Sequence, residues 1–205
     1  MSSKGTSIAH CPLSNSYFSA VPFPLREALI ENVKVGLGTD VAAGYSLDMM
    51  NAMRHAVAVS RMREGSRMMD TGTTVDSKLS IDWKEALFLA TRGGAMALGL
   101  QGIFGVGLPF DAQESELKSN SQAFKLLLLL LLLLYTYSII VKLYDPTSGM
   151  GLGALDFFNL EFESQAQAKA SSSPPSSEEI EKWWCIGDVR NRLGMWIQGR
   201  RVFNG

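Results

Sequence analysis

The chain has 205 residues, 46% of them apolar, and 19 Lys/Arg against 20 Asp/Glu, for a net charge of −1. That length accommodates one large or two small domains, and the balanced charge excludes an electrostatic footprint for nucleic acid. Two cysteines outside C-x-x-C spacing, Cys11 and Cys185, read as reduced thiols in a cytoplasmic setting, and Met-Ser-Ser-Lys-Gly at the start lacks the apolar region of a secretory signal.

Thr6–His10 is a short strand-like run closed by Cys11-Pro12, where the proline predicts an extended-to-turn exit. Leu13–Val21 follows as a polar and aromatic loop. Pro24 suits the first turn of a helix over Pro24–Glu31, with Leu25, Ala28 and Leu29 on one face and Asn32 as its C-cap. Val33–Thr39 then reads as a buried parallel strand, in which Val33, Val35 and Leu37 pack while Gly36 and Gly38 allow close backbone approach. Strand, helix and strand in this order imply parallel pairing with a right-handed crossover. His10 and Asp40 then lie on the same edge of the sheet. A carboxylate just past the C-terminal tip of such a strand is a candidate metal ligand or general base, or else an Asp that opens a turn.

Ser46 is the predicted N-cap of the next helix, with Asp48 in its first turn and a core stripe of Leu47, Met50, Met53, Val57 and Ser60 running to about Glu64. His55, on the flank of that stripe, reads as a structural histidine. Gly65–Ser80 reads as a loop. Asp82 and Glu85 have capping-box spacing and start a helix through Ala90, and Gly93-Gly94 reads as a joint before a short turn over Ala95–Leu98. Gly102–Asp111 alternates glycine with apolar residues, which suggests short strands.

The stretch from Lys125 to Lys142 departs from the rest. Nine leucines, Leu126 to Leu134, lead into Ile139-Ile140-Val141. As a helix, Leu126–Val141 spans about 24 Å, short of a hydrocarbon core of ~30 Å. The run reads as a low-complexity insertion, with a membrane-inserted helix as the alternative. Beyond it, Ala166–Ser177 has linker composition, Glu178–Cys185 starts as a helix carrying Trp183-Trp184, and Met195–Val202 is a closing strand–turn–strand. The domain expectation is 1–101 as one α/β unit, 102–125 as the start of a β segment, 126–144 as the leucine insertion and 145–205 as a C-terminal segment.

Several of these stretches resemble successive motifs of the amidohydrolase superfamily. They are Ala9-His-Cys-Pro-Leu-Ser-Asn15, Val35-Gly-Leu-Gly-Thr-Asp-Val41 with Gly44-Tyr-Ser46, Ala90-Thr-Arg-Gly-Gly-Ala95 with Ala97-Leu-Gly-Leu100, and Phe110-Asp-Ala112. Gly187-Asp-Val-Arg-Asn191 and Trp196-Ile-Gln-Gly-Arg200 narrow the resemblance to its guanine deaminase branch. The resemblance covers residues 5–112 well and 145–203 less closely. It implies the C-terminal part of a (β/α)8 TIM-type barrel, that is, its last two strands and following helices, plus pieces of a small β-sandwich domain. It also implies one zinc ion, hydrolysis of guanine to xanthine and ammonia in purine catabolism, and a homodimeric assembly.

Within that resemblance Asp40 is a zinc ligand that also accepts a proton from the metal-bound water and passes protons towards the leaving amine. Asp40, His10 and Asn15 are the substrate-binding candidates, the last two lining the pocket or ordering its loop. The family's other metal-binding histidines and its general-acid glutamate have no counterpart, because the strands that carry them are missing. Position 43 is Ala where the family has Gly, which tightens the turn after Asp40. The chain holds only two histidines, His10 and His55, whereas a catalytic zinc takes three protein ligands. It is therefore expected to be inactive alone. Two other readings stand beside this one: another amidohydrolase-related deaminase or chlorohydrolase, and a non-enzymatic fragment associated with membrane through Leu126–Val141.

Overall fold

A computed structural model describes residues 4–71, 78–100, 111–117, 138–143, 177–188 and 192–204. The chain divides into two compact units, Met1–Gly102 and Ile103–Gly205. In the first, β1 (Ser7–His10) and β2 (Lys34–Leu37) pair in parallel, with Ser7 opposite Lys34 and His10 opposite Leu37. The Gly38 N–H donates to the His10 carbonyl at 2.9 Å, extending the ladder one rung past the strand ends. Val33 and Val35 are buried, Leu37 is half-buried and Lys34 is exposed.

Two helices fill the crossover, α1 (Pro12–Phe18) and α2 (Leu25–Ile30). The first corrects the expected loop over Leu13–Val21. Pro12 occupies the first turn, where a missing N–H costs nothing and its fixed φ suits a helix, so the proline starts a helix instead of forcing an extended exit. Helix α2 is one residue shorter at each end than the expected Pro24–Glu31, with Pro24 as N-cap and Glu31 as C-cap, and Asn32 stands one position beyond the cap. Asn32 adopts φ 56°, its N–H donates to Leu29, and the Val33 N–H donates to Ala28, each at 3.0 Å. This is a Schellman closure with asparagine in the left-handed position, and it delivers Val33 directly into β2.

Helix α3 (Met49–Thr71) begins three residues after Ser46 and continues well past Glu64. Asp48 provides the capping oxygen, accepting from the Met50 N–H at 3.1 Å, while the Ser46 hydroxyl accepts from the Asp48 N–H at 3.2 Å. A carboxylate one step from the helix competes well for the first free N–H groups. Leu47 thereby falls outside the helix and is exposed, whereas Met50, Met53, Val57 and Ser60 are buried as expected, joined by Ala52, Ala56 and Val59. The extension removes part of the loop expected over Gly65–Ser80. It is coupled to the next segment, since the Glu64 carboxylate accepts from the Leu79 and Ser80 N–H groups and the buried Ser60 hydroxyl accepts from the Ile81 N–H.

Helix α4 (Trp83–Ala90) opens on the expected reciprocal capping box between Asp82 and Glu85. Gly93 and Gly94, expected at a joint, lie inside α5 (Arg92–Ala97), and the chain turns at Thr91 instead. The glycines serve packing. A Cβ on Gly36 would meet the Gly94 Cα at 2.7 Å, and one on Gly93 would meet the Val35 carbonyl oxygen at 2.9 Å. Helix α5 therefore lies backbone against backbone on β2.

Two bidentate ion pairs tie the helices. Arg26 bonds both Glu85 oxygens at 2.6 and 2.9 Å and also the Ser80 carbonyl at 2.5 Å. Arg63 bonds both Glu27 oxygens at 2.6 and 2.9 Å and holds the Glu27 carboxyl below its usual range, outweighing its partial burial.

In the second unit a four-stranded sheet has the order β4 (Ser138–Leu143), β3 (Ala112–Leu117), β5 (Arg192–Ile197), β6 (Arg200–Asn204). Strands β3 and β4 pair in parallel and the other neighbours antiparallel. Ile139–Val141 is thus strand, so these three residues do not belong to the alternative apolar helix: three consecutive β-branched residues favour a pleated strand over a helix. Leu126–Leu134, Gly102–Phe110 and the linker over 166–176 lie outside the described residues. No helix among the described residues is long and apolar enough to cross a membrane. The closing hairpin turns at Gln198-Gly199, both at positive φ, and the Gln198 N–H donates to Asp111 at 2.7 Å. Helix α6 (Ser177–Ile186) buries Trp183 and Trp184.

Arg26→Ala and Glu85→Ala should each cost about 1–3 kcal/mol in urea unfolding, with a coupling of roughly 1 kcal/mol in the double mutant. Strictly additive losses would show that the pair does not link α2 to α4. Gly36→Ala should cost a similar ~1–3 kcal/mol, because the Gly94 backbone has to move.

Candidate functional site

The parallel register puts both strand tips on one edge. His10 ends β1, and Asp40 stands three residues beyond the end of β2. Asp40 is exposed and holds φ 51°, a left-handed conformation that Asp tolerates better than most residues. Its carbonyl accepts from the Gly44 N–H at 2.5 Å, closing a tight loop. A Cβ on Gly44 would collide with the Thr39 carbonyl oxygen, so this position has no room for a side chain. The loop therefore fixes the backbone of Asp40 and leaves its carboxylate facing solvent.

His10 is only 4% exposed, and burial pushes its imidazole down to about 4. It is therefore neutral at neutral pH, with one ring N–H and one lone pair. Its ring lies 4.8 Å from that of Phe23, inclined at 37°. Asn15, on α1, accepts the Phe23 N–H on Oδ1 at 2.9 Å. Of the two roles open to Asn15, ordering the loop is the one for which the described contacts supply a bond. His55 hydrogen-bonds through Nδ1 to the Asn51 carbonyl at 3.0 Å, one turn back on α3.

Two neighbours of this edge escape a reading of the sequence by motif. Phe23 is identifiable only by its place between Pro22 and Pro24, which restrict the backbone on both sides of it. Cys11 sits against Gly38, where a Cβ would meet its sulfur at 2.9 Å. Burial, then the negative charge of Asp40, pushes the Cys11 thiol up, so it stays protonated and is no nucleophile. Among the described residues no group of three or more His, Cys, Asp or Glu side chains gathers to hold a metal ion. With Asp40 exposed and His10 packed on Phe23, the donors present do not fit a complete zinc site.

The buried imidazole has a consequence for acid stability. The unfolded chain takes up the His10 proton near 6.5, whereas the folded chain does so only at about 4. Stability is therefore full above the unfolded value, falls with pH between those limits, and levels off below them, by on the order of 3 kcal/mol. Urea midpoints at pH 7 and pH 4.5 should show this fall in the native chain and a much smaller one in His10→Gln. Equal falls in both would place the acid sensitivity elsewhere.

The chain is similar to known deaminases. It is 45% identical over 114 residues to the guanine deaminase of Mus musculus, covering 54% of this chain and 23% of that one. It is 38% identical over 104 residues to the 5-methylthioadenosine/S-adenosylhomocysteine deaminase of Pelotomaculum thermopropionicum, covering 50% of this chain and 22% of that one. The structure of E. coli guanine deaminase superimposes with a TM-score of 0.57 at 25% identity, covering all of this chain (100%) and 35% of that one. The chain thus spans about a quarter of the length of the curated relatives it matches. The model of the amidohydrolase family, whose fold is of the TIM-barrel type, matches residues 2–126. That match takes in β1, β2 and the edge bearing His10 and Asp40, and on it the chain belongs to the amidohydrolase family.

Proposed function

We propose that this chain forms the closing part of a guanine deaminase-type aminohydrolase, supplying the last two barrel strands and the edge that faces the substrate. The observation that carries this reading is the parallel β1–β2 register, which sets His10 and Asp40 at one end of the sheet in a chain 45% identical over 114 residues to a guanine deaminase. Active sites of such barrels lie at the C-terminal ends of the strands. The reaction is hydrolytic: guanine and water give xanthine and ammonia, with no redox partner.

In this reading Asp40 would be the oxygen donor that this chain brings to a zinc ion, which would supply an activated water, and its exposed carboxylate would accept the proton. Its exposure and its fixed loop support both tasks. His10 presents a neutral ring at the pocket edge, and Asn15 orders the loop that covers it. A carboxylate alone cannot hold zinc, so the remaining ligands come from barrel strands other than β1 and β2. The setting is cytoplasmic, consistent with two free cysteines, and the assembled enzyme is a homodimer. The match to a 5-methylthioadenosine/S-adenosylhomocysteine deaminase, 38% identical over 104 residues, favours one alternative substrate class, the 6-aminopurine nucleosides.

Expressed alone, the 205-residue chain should retain less than stoichiometric zinc after dialysis and form no xanthine. Fused behind the first six strand–helix units of E. coli guanine deaminase, it should support guanine turnover, which Asp40→Ala should lower by about 10³-fold. Turnover with stoichiometric zinc by the chain alone would overturn the proposal. The same strands placed behind the corresponding units of the nucleoside deaminase should fail to restore its activity; success there with failure in the guanine deaminase fusion would favour the alternative.

A further inference from the structure

The segment between α1 and α2 carries Pro22-Phe23-Pro24, so prolines restrict the backbone on both sides of one aromatic residue. The Phe23 N–H reaches back eight residues to the Asn15 side chain at 2.9 Å, and the Phe23 ring meets the His10 ring at 4.8 Å. We propose that Phe23 is a positioning residue: anchored to Asn15 through its backbone, it presses on the His10 imidazole and fixes the ring at the edge where Asp40 stands. The relevance of this clamp to catalysis rests on the aminohydrolase reading; the fixing of the ring does not.

Three observations support the clamp. His10 is the terminal residue of β1, and its carbonyl is committed to the Gly38 N–H, so the backbone is already immobile and the ring torsions are the remaining freedom. The ring contact with Phe23, at 4.8 Å and inclined at 37°, bears directly on those torsions. Burial is also the whole cause of the lowered His10 value, with no Asp, Glu, Lys or Arg contributing, and Phe23 supplies part of that burial. A ring held this way offers a lone pair or an N–H in one direction, without swinging out to water.

The chain has only two histidines, so its imidazole spectrum holds two spin systems, and His55, bonded to Asn51, is an internal reference. In long-range ¹⁵N–¹H spectra of the full chain across pH, Phe23→Leu should raise the His10 midpoint by about one pH unit or more and leave His55 in place. Asn15→Ala should move it in the same direction and carries the test should Phe23→Leu fail to fold. Phe23→Tyr, which keeps the ring, should restore the native midpoint. An unchanged His10 midpoint in folded Phe23→Leu and Asn15→Ala, or an equal displacement of His55, would overturn the clamp. The outcome is separable from the reading on which its catalytic meaning depends. An inactive native fusion with the His10 response intact would remove the aminohydrolase proposal alone; an active fusion without that response would remove the clamp alone.

Discussion

Everything in the N-terminal unit depends on how closely α5 can lie against β2. Gly36 meets Gly94 and Gly93 meets the Val35 carbonyl with no side chain between them. Such backbone contact sets the depth of the two-stranded sheet within its helices, and with it the level at which the strand tips emerge. Parallel pairing then does the rest. A hairpin would have sent the ends of β1 and β2 to opposite edges; the α1–α2 crossover brings His10 and Asp40 to the same one.

The edge so formed contains two different kinds of polar group. Asp40 is held by its backbone, in a left-handed residue closed by Gly44, while its carboxylate remains in water. His10 is held by its side chain, buried under Phe23 and kept neutral. The first arrangement suits a group that must exchange protons or bind a cation, and the second a group that must keep one orientation. Cys11, packed on Gly38 and kept protonated, fills space between the strand tips without adding reactivity.

The helices around this edge are joined by charge as well as by apolar packing. Glu85 is at once the capping-box carboxylate of α4 and the partner of Arg26 on α2, and Arg63 joins α3 to Glu27. Such pairs contribute modestly to stability, but each is bidentate and so also fixes direction. They orient α2, whose C-terminal closure at Asn32 feeds Val33 into β2.

The sequence by itself determined the elements whose signals are local: the Val- and Gly-bearing strand β2, the Asp82–Glu85 capping box, the closure of α2 at Asn32, and the motif pattern that places Asp40 beyond a strand. Those features depend on residues within a few positions of one another, where spacing and chemistry are enough. Tertiary structure alone decided the rest. Gly93-Gly94 became a packing face once β2 lay beneath it, and Phe23 acquired its role only when Asn15 and the end of β1 met in space. Each of these depends on a partner distant in sequence, and no local pattern encodes a distance between elements.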